Sequence, residues 1–146
     1  QFQMPVVIHC RKGLNYIFND MERLKKVPAV LFHSFCGGII EAESILKKLP
    51  QSFFSFGKQI FNGNKKVISC VLNLPFKNLL LETDSPYQFL KNERYTSINE
   101  IKNIYEEVFL LRKKDFAFSV CAKDFDYEKI EFECCLLENF KRLYFK

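Results

Sequence analysis

"LLLETDSPY", residues 79–87, runs three leucines straight into two carboxylates, Glu82 and Asp84. An apolar run of this kind is built to be buried, and a carboxylate buried without a partner is costly. The charge needs a receiver: a hydrogen-bond network, a basic side chain or a metal ion. Two other apolar runs end in the same manner. PVVI, residues 5–8, leads into His9 and Arg11, and AVLF, residues 29–32, leads into His33 and Ser34.

Between these runs lie helical patterns. Strands are expected over 5–10, 28–33, 52–56 and 78–83. Amphipathic helices are expected over 14–26, 39–49, 64–74, 97–112 and 129–143, with 113–128 less regular. Leu14, Ile17, Phe18, Met21 and Leu24 make one apolar stripe, and Ser97 with Glu100 reads as a capping box. Short apolar strands alternating with helices argue for an α/β fold with a parallel sheet, open or part of a closed barrel. In such folds the C-terminal ends of the strands share one edge, where ligands and catalytic groups gather. The two histidines of the chain, with Glu82 and Asp84, are therefore expected within reach of one another.

Two imidazoles and a carboxylate suit Zn, Mn, Fe or Ni, and a bound divalent ion would offset the charge of Asp84. It would also acidify a bound water, with Asp84 as ligand, general base or both. The alternative is structural: each histidine hydrogen-bonded at its strand end, and Glu82 capping a helix or pairing with Arg11.

Composition bounds the rest. The 146 residues suit one domain, 1–146, and 48% hydrophobic with 27% charged residues is the balance of a globular protein. The net charge of +5 suits a polyanionic partner such as nucleic acid. Six cysteines without a CxxC pair argue against a zinc ribbon, and reduced thiols in a cytoplasmic protein are the simpler reading. Cys10 and Cys36 read as small core hydrophobes. The Phe-rich SFFSF, residues 52–56, reads as core packing. No run is long enough to span a bilayer, and QFQMPVV, residues 1–7, is not a signal peptide. Gln1 leads almost at once into a strand, as in a chain cut from something longer.

"PVVIHCR", "VLFHSFCGG", "FFSFGKQIF" and "LLLETDSPY" closely resemble, in order and spacing, the C-terminal half of the TatD family of metal-dependent deoxyribonucleases, and "ENFKRLYF" is similar to the family's closing helix. The resemblance implies an amidohydrolase-like (β/α)8 TIM barrel, of which this chain supplies about the last four β/α units. It implies two divalent ions (Mg, Mn or Zn) acting on phosphodiester bonds in DNA. By that resemblance His9 and His33 are ligands of one metal. Asp84 is a ligand of the other and the base for the attacking water, and Glu82 is its acidic partner. Arg11, Ser34 and Tyr87 fall where substrate is met, and the turn at Gly37 and Gly38 offers backbone N–H groups to an anion.

The family's H-x-H pair and bridging Glu have no counterpart in the chain. At most partial metal occupancy is expected of these residues alone, and little or no nuclease activity. Half a barrel also leaves open strand edges and an apolar inner face. A missing N-terminal half, a second copy of the chain or another protein would cover them. The competing readings are a non-catalytic interaction module or remnant that keeps the half-barrel fold, and a nucleic-acid binder without chemistry.

Overall fold

The computed structural model describes residues 3–116 and 125–145. Four parallel strands, β1 (Val6–His9), β2 (Val30–His33), β3 (Ser52–Phe56) and β4 (Leu79–Leu81), pair in chain order. Each is followed by helix: α1 (Leu14–Asn19) and α2 (Met21–Leu24), α3 (Ile39–Lys48), α4 (Lys65–Asn73), then α5 (Ile101–Phe116) and α6 (Phe125–Tyr144). The α/β class and parallel sheet read from the sequence hold, with four β/α units in a row.

Register decides what the sheet brings together. Val7 pairs with Leu31, His9 with His33, Leu31 with Phe53, and Ser55 with Leu80. Because side chains alternate across a strand, Val7, His9, Leu31, His33, Phe53, Ser55 and Leu80 share one face, and Glu82 joins them two residues past Leu80. The opposite face carries Val30, Phe32, Phe54, Phe56 and Leu79, all buried in the main core. Helices cover it with Ala42 and Ile45 (α3), Val67 and Val71 (α4), Val108 and Phe109 (α5) and Phe132 (α6). The Phe32 and Phe54 rings stack at 5.4 Å, so SFFSF is core, as its composition implied. Each fully buried phenylalanine contributes about 1.5–3 kcal/mol.

The first face is thinner. Ala29, Leu31, Phe53 and Leu80 form a small cluster closed by Leu143 of α6, and Arg142 lies over the Phe53 ring. Val7 on the β1 edge remains 52% exposed. Asn139 pins α6 to the sheet, donating to the carbonyls of Phe76 at 2.7 Å and Leu79 at 2.9 Å.

Three expectations are corrected. The helix expected over 14–26 breaks at Asp20, whose carbonyl accepts from Arg23 and Leu24 and so starts a second turn. Asn19–Asp20 is a pair that favours caps over helix interiors. The helix expected from 97 begins as a 3-10 turn (Ile98–Glu100), with the Ser97 hydroxyl accepting from the Asn99 N–H. Glu100 takes no part in a capping box with Ser97; its carboxylate accepts from Asn103 and approaches Lys58. The irregular stretch expected over 113–128 narrows, with α5 running to Phe116 and α6 starting at Phe125, and residues 117–124 lie outside the described residues.

Candidate metal centre

The C-terminal edge of the first face gathers His9, His33, Ser34, Ser55, Glu82 and Asp84. His9 and His33 are cross-strand partners, with ring centroids 5.4 Å apart. Ser34 (φ 50°) and Asp84 (φ 53°) both adopt left-handed backbone past their strands. Each such residue costs of the order of 1 kcal/mol, strain that tends to concentrate at functional sites.

Glu82 is the hub. Its Oε2 accepts from His33 Nδ1 at 2.8 Å and from the Ser55 hydroxyl. Its Oε1 accepts from the Ser34 hydroxyl at 2.9 Å and faces Gln88 Nε2 at 3.4 Å. A carboxylate offers about four lone-pair positions, so Glu82 is saturated. This network receives the charge that the leucine run delivers to position 82.

Asp84 is held differently. Its Oδ2 accepts from Gln88 Nε2 at 3.1 Å and lies 3.3 Å from the Ser34 hydroxyl. Its Oδ1 faces His33 Nε2 at 3.3 Å. The hydrogen bond to Glu82 places a proton on Nδ1 of His33, which leaves Nε2 as the acceptor of the neutral ring. Two acceptors facing each other at 3.3 Å call for a positive charge between them, either a proton or a metal ion. Two atoms bonded to a common ion at the ~2.0–2.1 Å usual for zinc have that separation at a near-tetrahedral angle. The donor set therefore fits a divalent ion. Atoms of His33, Glu82 and Asp84 able to ligate an ion lie within 4.8 Å of one another, and with Glu82 engaged by its hydrogen bonds the donors facing the gap are His33 Nε2 and Asp84 Oδ1.

A cavity of about 270 Å³ opens over this cluster, lined by His9, Arg11, Ser34, Gln59, Asp84 and Gln88 among others. Arg11 is exposed at its wall. Tyr87 is 66% exposed and does not line it. The Ser34 hydroxyl is turned inward, toward Glu82 and Asp84. The Gly38 N–H, expected to face an anion, is taken by Glu41 Oε2 at 2.6 Å. Cys36 is exposed and lines the cavity with Cys10, so the core reading fails for it.

Ser55 and Gln88 escaped the sequence reading. Ser55 had a legible signal, since it shares the inner face with Phe53 and is the polar interruption of SFFSF. Gln88 had none, because it lies in the loop beyond the Ser85–Pro86 cis bond, at φ 58°. Gly57 makes room for it: a Cβ there would sit 2.9 Å from Gln88 Oε1 and 2.9 Å from the Glu82 carbonyl. The loop is tied down by Ser85 donating to the Thr96 carbonyl at 2.8 Å. Buried Lys58 pairs with Glu93 at 2.6 Å on the same loop.

The comparisons with known proteins bear on the fold and the family. An uncharacterized metal-dependent hydrolase from Haemophilus influenzae is 31% identical over 86 residues, 59% of this chain and 32% of that protein. Among solved structures, the TatD homolog YjjV from Escherichia coli K12 superposes with a TM-score of 0.75 at 20% identity, over 96% of this chain and 49% of that one. An uncharacterized amidohydrolase from Saccharomyces cerevisiae superposes with a TM-score of 0.68 at 12% identity, over 97% of this chain and 54% of that one. The chain thus spans about a third of the curated relative and about half of each solved chain. The profile of the TatD related DNase family matches residues 1–144, nearly every residue from the first strand to the closing helix. A parallel half-barrel with acids and imidazoles on one strand edge, matched by that profile along its whole length, belongs to the TatD related DNase family.

Proposed function

We propose that this chain supplies the His33–Asp84 side of a metal-dependent site that hydrolyses phosphodiester bonds in DNA, and that these 146 residues alone turn over little or no substrate. The observation that carries the reading is His33 held between Glu82 and Asp84, with Nδ1 fixed and Nε2 turned to a carboxylate oxygen. His9, His33 and Asp84 would hold metal. A bound divalent ion supplies Lewis acidity to a phosphoryl oxygen and makes water acidic enough to attack near neutral pH.

The chain's own residues set the geometry for that chemistry. Glu82 keeps the His33 ring in one tautomer and orientation, the usual task of a carboxylate behind a ligating imidazole. Asp84 has one oxygen committed to Gln88 and the other directed into the cluster, where it can take a proton from water. Arg11 stands at the cavity wall in reach of a substrate phosphate.

Purified chain is expected to release little or no nucleotide from DNA in Mn²⁺. Joined to the N-terminal half of a solved relative's barrel, it is expected to gain EDTA-sensitive release, which His33→Ala abolishes. Turnover by the chain alone at the rate of a complete family enzyme would contradict the first statement. A folded hybrid that binds Mn²⁺ and leaves DNA intact would contradict the second.

A second reading, a non-catalytic module that associates with another copy, draws on the open inner face, where Val7 is 52% exposed. Light scattering separates the two: this reading requires a dimer whose formation is blocked by Val7→Lys, and a monomer at all concentrations excludes it.

A further inference from the structure

The loop that leads from β4 toward α5, residues 82–97, is held against its own preferences. Asp84, Gln88 and Asn92 all take left-handed backbone, with φ of 53°, 58° and 77°. Residues in that region persist only where the surrounding structure holds them. Gln88 Oε1 is buried without a hydrogen-bond partner, and an unpaired buried acceptor favours a loop that lifts into water. Yet Gln88 must stay down to meet Asp84. Its Nε2 donates to Asp84 Oδ2 at 3.1 Å, which leaves Oδ1 facing His33.

A counterweight stands beside Gly57. Lys58 opens the 3-10 turn Lys58–Asn62 that follows β3, and at 2% exposure it is the one lysine buried among the described residues. A buried ammonium is costly unless it is paired. Here Nζ donates to Glu93 Oε2 at 2.6 Å and lies 3.9 Å from Glu100 Oε2. The same Glu93 oxygen accepts from the Leu90 N–H at 2.8 Å, two residues from Gln88. One ammonium thus grips the loop just past Gln88 and meets the turn that opens into α5. Buried ion pairs are often replaced by well-packed apolar residues without loss of stability. What the charge adds is a fixed place for the loop.

We propose that Lys58 is a positioning residue for the cation site: through Glu93 it clamps the 82–97 loop to the end of β3, and through Gln88 it aims the Asp84 carboxylate. This role rests on the metal reading of His33 and Asp84 and extends that site to a side chain that takes no part in the His33 cluster. Its sign is opposite to that of simple electrostatics. Taking a positive charge away from a cation site strengthens cation binding when charge alone acts. Loss of a clamp weakens it.

The test uses Lys58→Met, a side chain of similar length without the charge, and two readouts. The first is Mn²⁺ affinity by electron paramagnetic resonance. Lys58→Met is expected to weaken binding about tenfold, the lower end of the range for partners behind a ligand. Glu93→Ala, which breaks the same contact from its more exposed side, is expected to do likewise. Lys58→Met combined with Gln88→Ala should lose no more than Gln88→Ala alone, because the two act in series. The second readout is hydrogen exchange in the metal-free chain. The Tyr87, Leu90, Glu93 and Thr96 amides, all bonded within the loop, are expected to exchange several-fold faster in Lys58→Met, with those of β2 and β3 unchanged. Unchanged or tighter Mn²⁺ binding in both single variants, additive losses in the combined one, or loop exchange equal to the parent would overturn the clamp. A parent that binds no Mn²⁺, with loop exchange still faster in Lys58→Met, would support the clamp on the loop and sink the metal reading instead.

Discussion

His33 donates its Nδ1 proton to Glu82 at 2.8 Å across 49 residues of chain, and thereby turns its other nitrogen toward Asp84. One hydrogen bond thus links the ends of β2 and β4 through the intervening strand, whose Ser55 also donates to Glu82. The arrangement fixes a tautomer before any ligand arrives.

Removing the hub should therefore act on metal more than on fold. Glu82→Ala is expected to weaken Mn²⁺ binding by about 10–100-fold, the usual cost of losing a carboxylate behind a ligating histidine. Calorimetric titration of the two proteins checks this. Equal affinities would mean that Glu82 does not orient His33.

Gly57 is a packing constraint beneath the same cluster. Gly57→Ala must displace the Gln88 amide or the Glu82 carbonyl, each 2.9 Å from the new Cβ. The expected cost is about 1–3 kcal/mol, as for other overpacked positions, read as a lower urea midpoint. An unchanged midpoint would show that the loop yields freely.

Asn139 serves the fold alone. Asn139→Ala strips the amide from the Phe76 and Leu79 carbonyls, which α6 covers. Loss of buried hydrogen bonds of this kind costs about 1–3 kcal/mol. The urea midpoint should fall, and Mn²⁺ affinity measured under folding conditions should not.

Acid sensitivity has an identifiable contributor in Glu93. The hydrogen bond from Lys58, with that from the Leu90 N–H, holds its carboxyl below the usual 4.5. A carboxyl lowered in the folded state stabilises the fold above its ordinary value, and that contribution is lost as pH falls from 4.5 through the lowered value. Glu93→Gln should thus be less stable than the parent at neutral pH, with the difference shrinking in acid. A gap in melting temperature that is constant with pH would refute the linkage.

The thiols should sort by exposure. Burial, reinforced by Glu41 and Glu43, pushes the Cys70 thiol up to about 11, so it stays protonated and inert in the folded chain. Cys36 and Cys134 are exposed. Mass spectrometry after brief alkylation should find label on Cys36 and Cys134 and none on Cys70 until the chain is unfolded.

Much of the site was legible because strand ends punctuate the sequence. PVVI–His9, AVLF–His33 and LLL–Glu82 each change from apolar to polar at the point where a parallel strand leaves its sheet. The order of strands follows from their helical connections. What the sequence withheld lies in loops and in side-chain competition. Gln88 enters the cluster through a left-handed loop residue that no periodicity marks. The break at Asp20 lay hidden because Ile17 and Phe18 before it and Met21 and Leu24 after it keep the apolar stripe running. Ser97 carried a cap signal, yet Glu100 found better partners in Asn103 and Lys58.

The most direct test of a cation site at this strand edge is an electron paramagnetic resonance titration of Mn²⁺ into the chain and into its His33→Ala and Asp84→Ala variants. Manganese avoids capture by the exposed thiols, which prefer softer ions. Saturable binding by the parent that is lost in both variants is the predicted result. Binding that is absent, or that survives both substitutions, would contradict it.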